Sequence, residues 1–276
     1  MVLDREWLLG VARMEREALG RSIQYANPDL WENPSPWRGR PAADILCHLA
    51  ADEIASAALL GGEEPTEMEE WRKSVPDEDA SPDVWIEWST ARRLQQHPLR
   101  TALEWGRAAE LVLARASKLS TQDWRDRQVR WTAGDLRAGY FVQARVVQWW
   151  LHGQDILQGT RQALRREHPP TYVVNDFAVR LIPYALSLEG HSFPGRCVHV
   201  ELDQVGEGVW LQGLEAGYLP DRDLDPDVVI TGHGPWFALL ATRRVEAEQV
   251  LYEGTVNIGG DVGMGEAILR SLRAFP

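Results

Sequence analysis

Lysine is nearly missing from this chain of 276 residues: only Lys73 and Lys118 occur, so arginine carries almost all the positive charge. That usage fits a GC-rich bacterial genome. Cysteine is as scarce, with Cys47 and Cys197 far apart, which excludes a disulfide framework and a cysteine-rich zinc site. No stretch approaches 18 uninterrupted apolar residues, so no transmembrane helix is expected. The opening MVLDREWLLG lacks a basic segment before an apolar one, so no signal peptide is expected and the cytoplasm is the expected compartment. Bases are also outnumbered, 29 against 41 acids, a net charge of −12. An acidic surface repels phosphate backbones and anionic headgroups, so neither nucleic acid nor membrane is expected as a partner; a small-molecule substrate is. Ordinary globular usage remains, 44% hydrophobic and 25% charged, with thirteen tryptophans that could line an apolar pocket or simply fill a core.

The chain divides in two. Residues 1–165 read as a helical bundle. Trp7, Leu8, Val11, Met14 and Leu19 stand at roughly helical spacing from Asp4 to about Ser22. The Pro-rich stretch Asn27 to Pro41 is a connecting loop. A second helix runs from Ala42 to Leu60 and stops at Gly61-Gly62. The acidic stretch Gly62 to Asp83 reads as an exposed excursion. A third helix starts near Pro82, breaks at His97-Pro98 and continues over Leu99 to Leu119, and a fourth covers Leu136 to Leu157. Residues 170–276 differ: one helix over Tyr172 to Leu188, then strands at Cys197–Leu202, Gly208–Gln212, Asp227–Thr231 and Thr255–Ile258, with helices at Pro235–Thr242 and Asp261–Ala274. The expected fold class is α+β, a four-helix bundle followed by a smaller α/β domain, with the boundary near Arg166 to Pro170.

Two of the seven histidines, His48 and His152, fall inside bundle helices. Gln148, His152 and Asp155 stand at i, i+4 and i+7 on one helical face, extended by Phe141 and Ala144. A polar row on an inward face is costly unless paired or ligated. His48 has Asp52 at i+4 and Asp44 at i−4. Two facing helices would bring His48, Gln148 and His152 together, a set suited to a divalent metal with open positions, with Asp52 and Asp155 as a further ligand or as partners orienting the imidazoles. The bland alternative is that both histidines are satisfied core residues. Without a metal, His48 or His152 could act as general acid or base beside Asp52 or Asp155. Cys47, about 100° round the helix from His48, reads as a small core residue.

The segments DILCHLAADE (Asp44 to Glu53), WTAGDLRAGYFVQARVVQWWLHGQDI (Trp131 to Ile156), ITGHGPWFALLATRR (Ile230 to Arg244) and NIGGDVGMGEAILRSL (Asn257 to Leu272) resemble the DinB-like, mycothiol-dependent group that includes maleylpyruvate isomerase. The resemblance runs through nearly the whole chain in order. It implies a DinB-like helical N-terminal domain (1–165), a sterol-carrier-like C-terminal domain (170–276) and a site in a cavity between them. It also implies a divalent metal, usually zinc, held by His, Glu and His, with mycothiol as the thiol to be activated. The two histidines match His48 and His152; the Glu falls on Gln148, a departure. The amide oxygen could then bind the metal, Asp52 or Asp155 could compensate, or the metal could be gone and the cavity hold another ligand. The family also implies an arginine from the C-terminal domain, for which Arg243 or Arg244 is nearest; a guanidinium clamps a carboxylate bidentately, although helix-end arginines are commonly solvated. His233, in a Gly-His-Gly turn, should face water.

The leading expectation is therefore a thiol-dependent isomerase or transferase for a small apolar or polycyclic metabolite, using a divalent metal. The Trp-rich helices, Trp149 and Trp150 included, suggest that kind of substrate. The alternative is a metal-free descendant: a cyclase, an isomerase or a ligand-binding protein, with a tailoring step in specialised metabolism as its setting.

Overall fold

In a computed structural model of the chain, residues 2–76, 81–131, 134–165, 168–218, 220 and 224–274 are described. Arg166 and Glu167 at the expected boundary, residues 77–80 of the acidic stretch, and Thr132 and Ala133 of the Trp131–Ile156 segment lie outside that set. The chain forms two compact units, Met1–Arg165 and Arg166–Pro276, and combines helices with two small sheets.

The first unit is built on four long helices: α1 (Arg5–Gln24), α2 (Ala42–Gly61), α5 (Pro98–Ser117) and α7 (Ala138–Gly159). Helix α1 packs on α5 and α7, and α2 packs on the same two. Asp4 caps α1 by accepting from the Trp7 N–H at 2.9 Å. Its buried stripe is Leu8, Val11, Ala12, Leu19 and Ile23; Trp7 and Met14, which the apolar spacing assigns to the same stripe, stand exposed. Position on the helix outweighs residue type there. Helix α2 ends as its sequence dictates, with Gly62 in the left-handed region at φ 81° and its N–H on Ala58 and Leu59 carbonyls. Two short helices, α3 (Thr66–Ser74) and α4 (Pro82–Ala91), cover one side of α2 through Trp71 and Trp85, which meet edge to face at 5.5 Å. The His97-Pro98 break separates α4 from α5, with His97 as the cap of α5.

A one-and-a-half-turn helix, α6 (Thr121–Asp126), and a hairpin of β1 (Gln128–Trp131) with β2 (Gly134–Arg137) precede α7. Neither has enough periodicity to be read from sequence. Helix α7 is buried on every side: only Tyr140 and Gln158 escape the buried class. An apolar stripe therefore has no meaning for it, and the polar row that sequence reading places on one inward face sits in a helix with no outward face.

The second unit holds a four-stranded sheet in the order β4-β3-β5-β6, from β3 (Cys197–Asp203), β4 (Gly208–Gly213), β5 (Val228–His233) and β6 (Val256–Gly260). Strand β3 pairs with β5 in parallel, and the other two pairings are antiparallel. The expected single helix over Tyr172 to Leu188 is two, α8 (His168–Arg180) and α9 (Ile182–Leu188). Pro183 causes the break: it has no N–H to give, and its ring would meet the carbonyl of Val179 in a continuous helix. Helix α10 (Gly234–Ala241) packs against α8, and α12 (Val262–Ser271) against α9 and β6. A short α11 (Ala247–Tyr252), unexpected from sequence, links α10 to β6. Among the described residues no single helix is long and apolar enough to cross a membrane.

Candidate functional site

Helices α2 and α7 bring together five of the residues selected from sequence. His48 from α2 and His152 from α7 lie with ring centroids 5.1 Å apart and planes nearly perpendicular, at 86°. Both are buried, with 4% of their surface exposed. Asp155 fixes His152: its Oδ2 lies 3.2 Å from Nδ1, three residues along the same helix. A carboxylate there favours the Nδ1–H tautomer and leaves Nε2 with a free lone pair. Burial, ahead of all other influences, pushes the His48 pKa down to about 3, so this imidazole is neutral at any ordinary pH.

Three residues that sequence reading passed over complete the surroundings. Arg145, fully buried, donates from Nη1 to Asp52 Oδ2 at 2.7 Å and to Ser56 Oγ at 2.9 Å. Burial alone would raise the Asp52 pKa; the Arg145 charge, His48 and a hydrogen bond from the Gln148 side chain outweigh it and hold the carboxyl below its usual range. Asp52 is therefore an anchored carboxylate occupied by a guanidinium, not a free ligand. Glu53 accepts from Trp149 Nε1 at 2.7 Å and lies 3.9 Å from Arg145 Nη1; burial raises its pKa to about 7. Trp37, half-buried in the Pro-rich loop, lies 5.2 Å from the His48 ring and 4.8 Å from the His152 ring, covering the pair. Arg145 was within reach of sequence reasoning, since 145, 148 and 152 share one helical stripe at i, i+3 and i+7, and 48, 52 and 56 share one on α2 at i, i+4 and i+8. Trp37 sits in an aperiodic loop and left no signal.

Gln148 brings a neutral side chain beside Asp52, whose carboxyl it helps to hold below its usual range. Gln148 Oε1 is buried with no hydrogen-bond partner, as is His48 Nδ1. Among the described residues no group of three His, Cys, Asp or Glu is placed to hold a metal ion. His48, His152 and Gln148 offer three donors and no negative charge, so by themselves they do not make a self-sufficient divalent-metal site.

The other selected residues have surroundings of their own. Arg243 belongs to the second unit, where it follows α10 at φ 57° and donates to the Ser271 carbonyl at 3.4 Å; burial and then Arg273 hold its pKa below the usual arginine value. Arg244 bonds the Thr242 carbonyl at 2.7 Å. His233 caps α10, partly exposed, 4.0 Å from Asp203. Asp44 sits near Arg40, with burial as the main influence raising its pKa. Cys47 is core, its thiol pushed up to about 11, chiefly by burial. Trp149 is core as well: it is fully buried, edge-on to Trp105 at 6.2 Å, and its indole N–H is spent on Glu53. It therefore packs the bundle, and the aromatic wall beside the histidines is Trp37. A separate hollow of about 420 Å³ between α1 and α5 is lined by Arg16, Gly20, Ile23, Leu99, Leu103 and Trp105, and none of the selected residues reaches it.

Compared with known proteins, the sequence matches no described family and no curated protein. Two solved structures are similar along nearly the whole chain. Mycothiol-dependent maleylpyruvate isomerase superposes with a TM-score of 0.58 at 16% identity, and a histidine-to-alanine mutant of an enzyme of the same name with 0.59 at 15%. Each match covers 93% of this chain and 93% of the other. The class defined by fold is thus a mixed helix-and-sheet protein. Within that class, it has a fold like that of maleylpyruvate isomerase, a likeness of fold at low identity.

Proposed function

We propose that the chain is a thiol-dependent isomerase or transferase, using mycothiol and acting on a small apolar or polycyclic metabolite at the His48–His152 pocket. The observation that carries this reading is the buried, perpendicular imidazole pair under Trp37, with His152 oriented by Asp155. The fold shared with an enzyme named for its thiol cofactor supports it.

Thiol chemistry begins with the thiolate, so a base must take the S–H proton. His152 suits that role: Asp155 steadies Nδ1–H, and Nε2 accepts the proton as the sulfur becomes anionic. A bound thiol would supply a nucleophile for an electron-poor double bond; His152 Nε2 would hold the S–H proton meanwhile and return it to the sulfur at the end, so nothing is consumed. His48, neutral, adds no competing charge, and Trp37 gives an unsaturated substrate an apolar face. A divalent cation, where one is bound, lowers the pKa of a thiol; none of the steps above passes through it.

Calorimetry with mycothiol tests the reading. The expected result is saturable binding by the native chain, with thiol-dependent turnover of electron-poor unsaturated compounds falling by about 100-fold or more in His152→Ala. Absence of mycothiol binding would sink it. The neutral Gln148 favours a second reading, a metal-free cyclase, isomerase or binding protein of specialised metabolism, which takes an apolar ligand at the same pocket without any thiol.

A further inference from the structure

We infer that the hollow between α1 and α5 is a second ligand site, which takes an uncharged apolar molecule bearing one carbonyl oxygen. The inference stands apart from the histidine pair and does not depend on the thiol-dependent reading.

Size and lining come first. The hollow holds about 420 Å³, within the usual range of small-molecule sites, and Ile23, Leu99, Leu103 and Trp105 give it apolar walls. Leu99 and Leu103 are 50% and 62% exposed there, so an apolar occupant would remove that surface from water. Gly20 on α1 and Gly106 on α5 also line the hollow, and a Cβ on either would meet nothing within 4 Å beyond its own helix backbone. No neighbour comes close enough to require glycine, and alanine is the better helix former at both positions. The two glycines leave room that the packing of α1 on α5 does not use.

The polar groups then select the ligand. Trp105 is 2% exposed, and its Nε1–H has no acceptor among the described residues; the buried Nε–H of Arg16 has none either. Both side chains line the hollow and both orphans are donors, so what they lack is an acceptor oxygen. Charge argues against a carboxylate in that role. The Arg16 guanidinium already faces Glu110 at 3.1 Å and donates to the Gly106 carbonyl at 3.3 Å, and Glu17 on the same wall lies 4.0 Å from Arg21. Each charge has its partner, so an anionic head would bring an uncompensated one. A carbonyl oxygen offers two lone pairs to N–H donors and adds no charge.

A cavity of about 150 Å³ takes one benzene, so this one has room for two rings and a link. Benzophenone, two phenyl rings joined by one carbonyl, is therefore the probe, with equilibrium dialysis against the full-length chain as the measurement. Diphenylmethane has the rings without the oxygen, and 4-benzoylbenzoate adds a negative charge. The expected result is saturable benzophenone binding with Kd of about 100 μM or tighter, and affinity about tenfold weaker for each of the other two. Near-ultraviolet light inserts bound benzophenone into neighbouring C–H bonds, and peptide mass spectrometry is expected to find the label on α1 and α5 around Ile23, Leu99 and Leu103. Trp105→Phe keeps a ring, loses the N–H and should bind about fivefold or more weakly. Gly106→Leu fills the hollow from α5 and should abolish binding; Gly20→Leu does so from α1, and circular dichroism checks that each variant folds. Equal affinity for diphenylmethane overturns the carbonyl assignment, and equal affinity for 4-benzoylbenzoate overturns the uncharged one. Label confined to α2 and α7, or binding that survives both glycine substitutions, overturns the site. Absence of saturable binding overturns the inference as a whole.

Discussion

Arg145 on α7 donates to Asp52 on α2 at 2.7 Å, and the guanidinium has no exposed surface. Glu53 lies 3.9 Å from the same Nη1, so one cation serves two carboxyl groups at the contact between the helices that carry His48 and His152. Removing one partner of a buried pair leaves the other charge uncompensated, which costs about 3–5 kcal/mol. Arg145→Met is therefore expected to lose about that much stability in urea denaturation, or to fail to fold. Adding Asp52→Asn should return part of the loss, because the stranded charge goes with it. A double variant no more stable than Arg145→Met would show that the pair is not the cause.

The two perturbed groups nearest that contact pull stability in opposite directions with pH. His48 has a folded pKa of about 3 against 6.5 in the open chain. Below 6.5 the unfolded chain takes up a proton that the folded one refuses, so stability is lost as pH falls towards 3. Glu53 has a folded pKa of about 7 against 4.5. Above 4.5 the unfolded carboxyl has released a proton that the folded one keeps, so stability falls as pH rises through 7 and is level beyond. Between about pH 5 and about pH 8 each contributes about 2–3 kcal/mol. His48→Gln should remove the acid-side loss, and Glu53→Gln, which still accepts from Trp149, should flatten the neutral side. Urea midpoints between about pH 5 and about pH 8 measure both slopes. Unchanged slopes would mean that these two groups do not titrate as their burial requires.

How much of this could be read from the sequence depends on where a residue's surroundings come from. Gly61-Gly62 and His97-Pro98 act through their own backbones, so the end of α2 and the start of α5 follow from local chemistry. The His48–His152 relation follows from spacing on two helices that must face each other. Trp7 and Met14 mislead because helical spacing says which residues share a face, not which neighbours cover it. Trp149 misleads similarly: an indole can wall a pocket or fill a core, and its bond to Glu53 decides. Trp37 reaches the histidines through a loop with no period at all, bent by its 3₁₀ turn at Pro28–Leu30 and the bridge between Pro34 and Pro41.

Trp37 covers both imidazoles while remaining half-exposed itself, so its removal should affect the site more than the fold. Trp37→Ala is expected to cost less than about 1 kcal/mol of stability, as loop substitutions outside the core usually do. Water then reaches His48, whose pKa should climb from about 3 towards the ordinary range. The shift is followed by NMR titration of the imidazole C–H resonances, and mycothiol affinity should drop about tenfold with the loss of the apolar cover. A His48 resonance that still fails to titrate above about pH 4 would show that other groups, not Trp37, exclude water.

Asn175 makes a prediction for the second unit alone. From α8 its Nδ2 donates to the Gly206 carbonyl at 2.9 Å and to the Gly234 carbonyl at 3.2 Å, joining the helix to the β3–β4 turn and to the start of α10. Both glycines are constrained for the same reason: a Cβ on Gly234 would meet the Val205 carbonyl at 2.3 Å, and Gly206 sits at φ 79° with Thr171 at 2.7 Å. The turn and the strand end therefore close around one buried amide. Asn175→Ala leaves two carbonyls without their shared donor and should cost about 1–3 kcal/mol. Asn175→Asp turns the donor into an acceptor facing two carbonyl oxygens and should cost more. Amide hydrogen exchange distinguishes the outcomes, because the lost protection should concentrate in α8, α10 and the 203–208 turn while α2 and α7 keep theirs. Loss spread evenly through both units would mean that the amide does not organise the second unit as a separate element of stability.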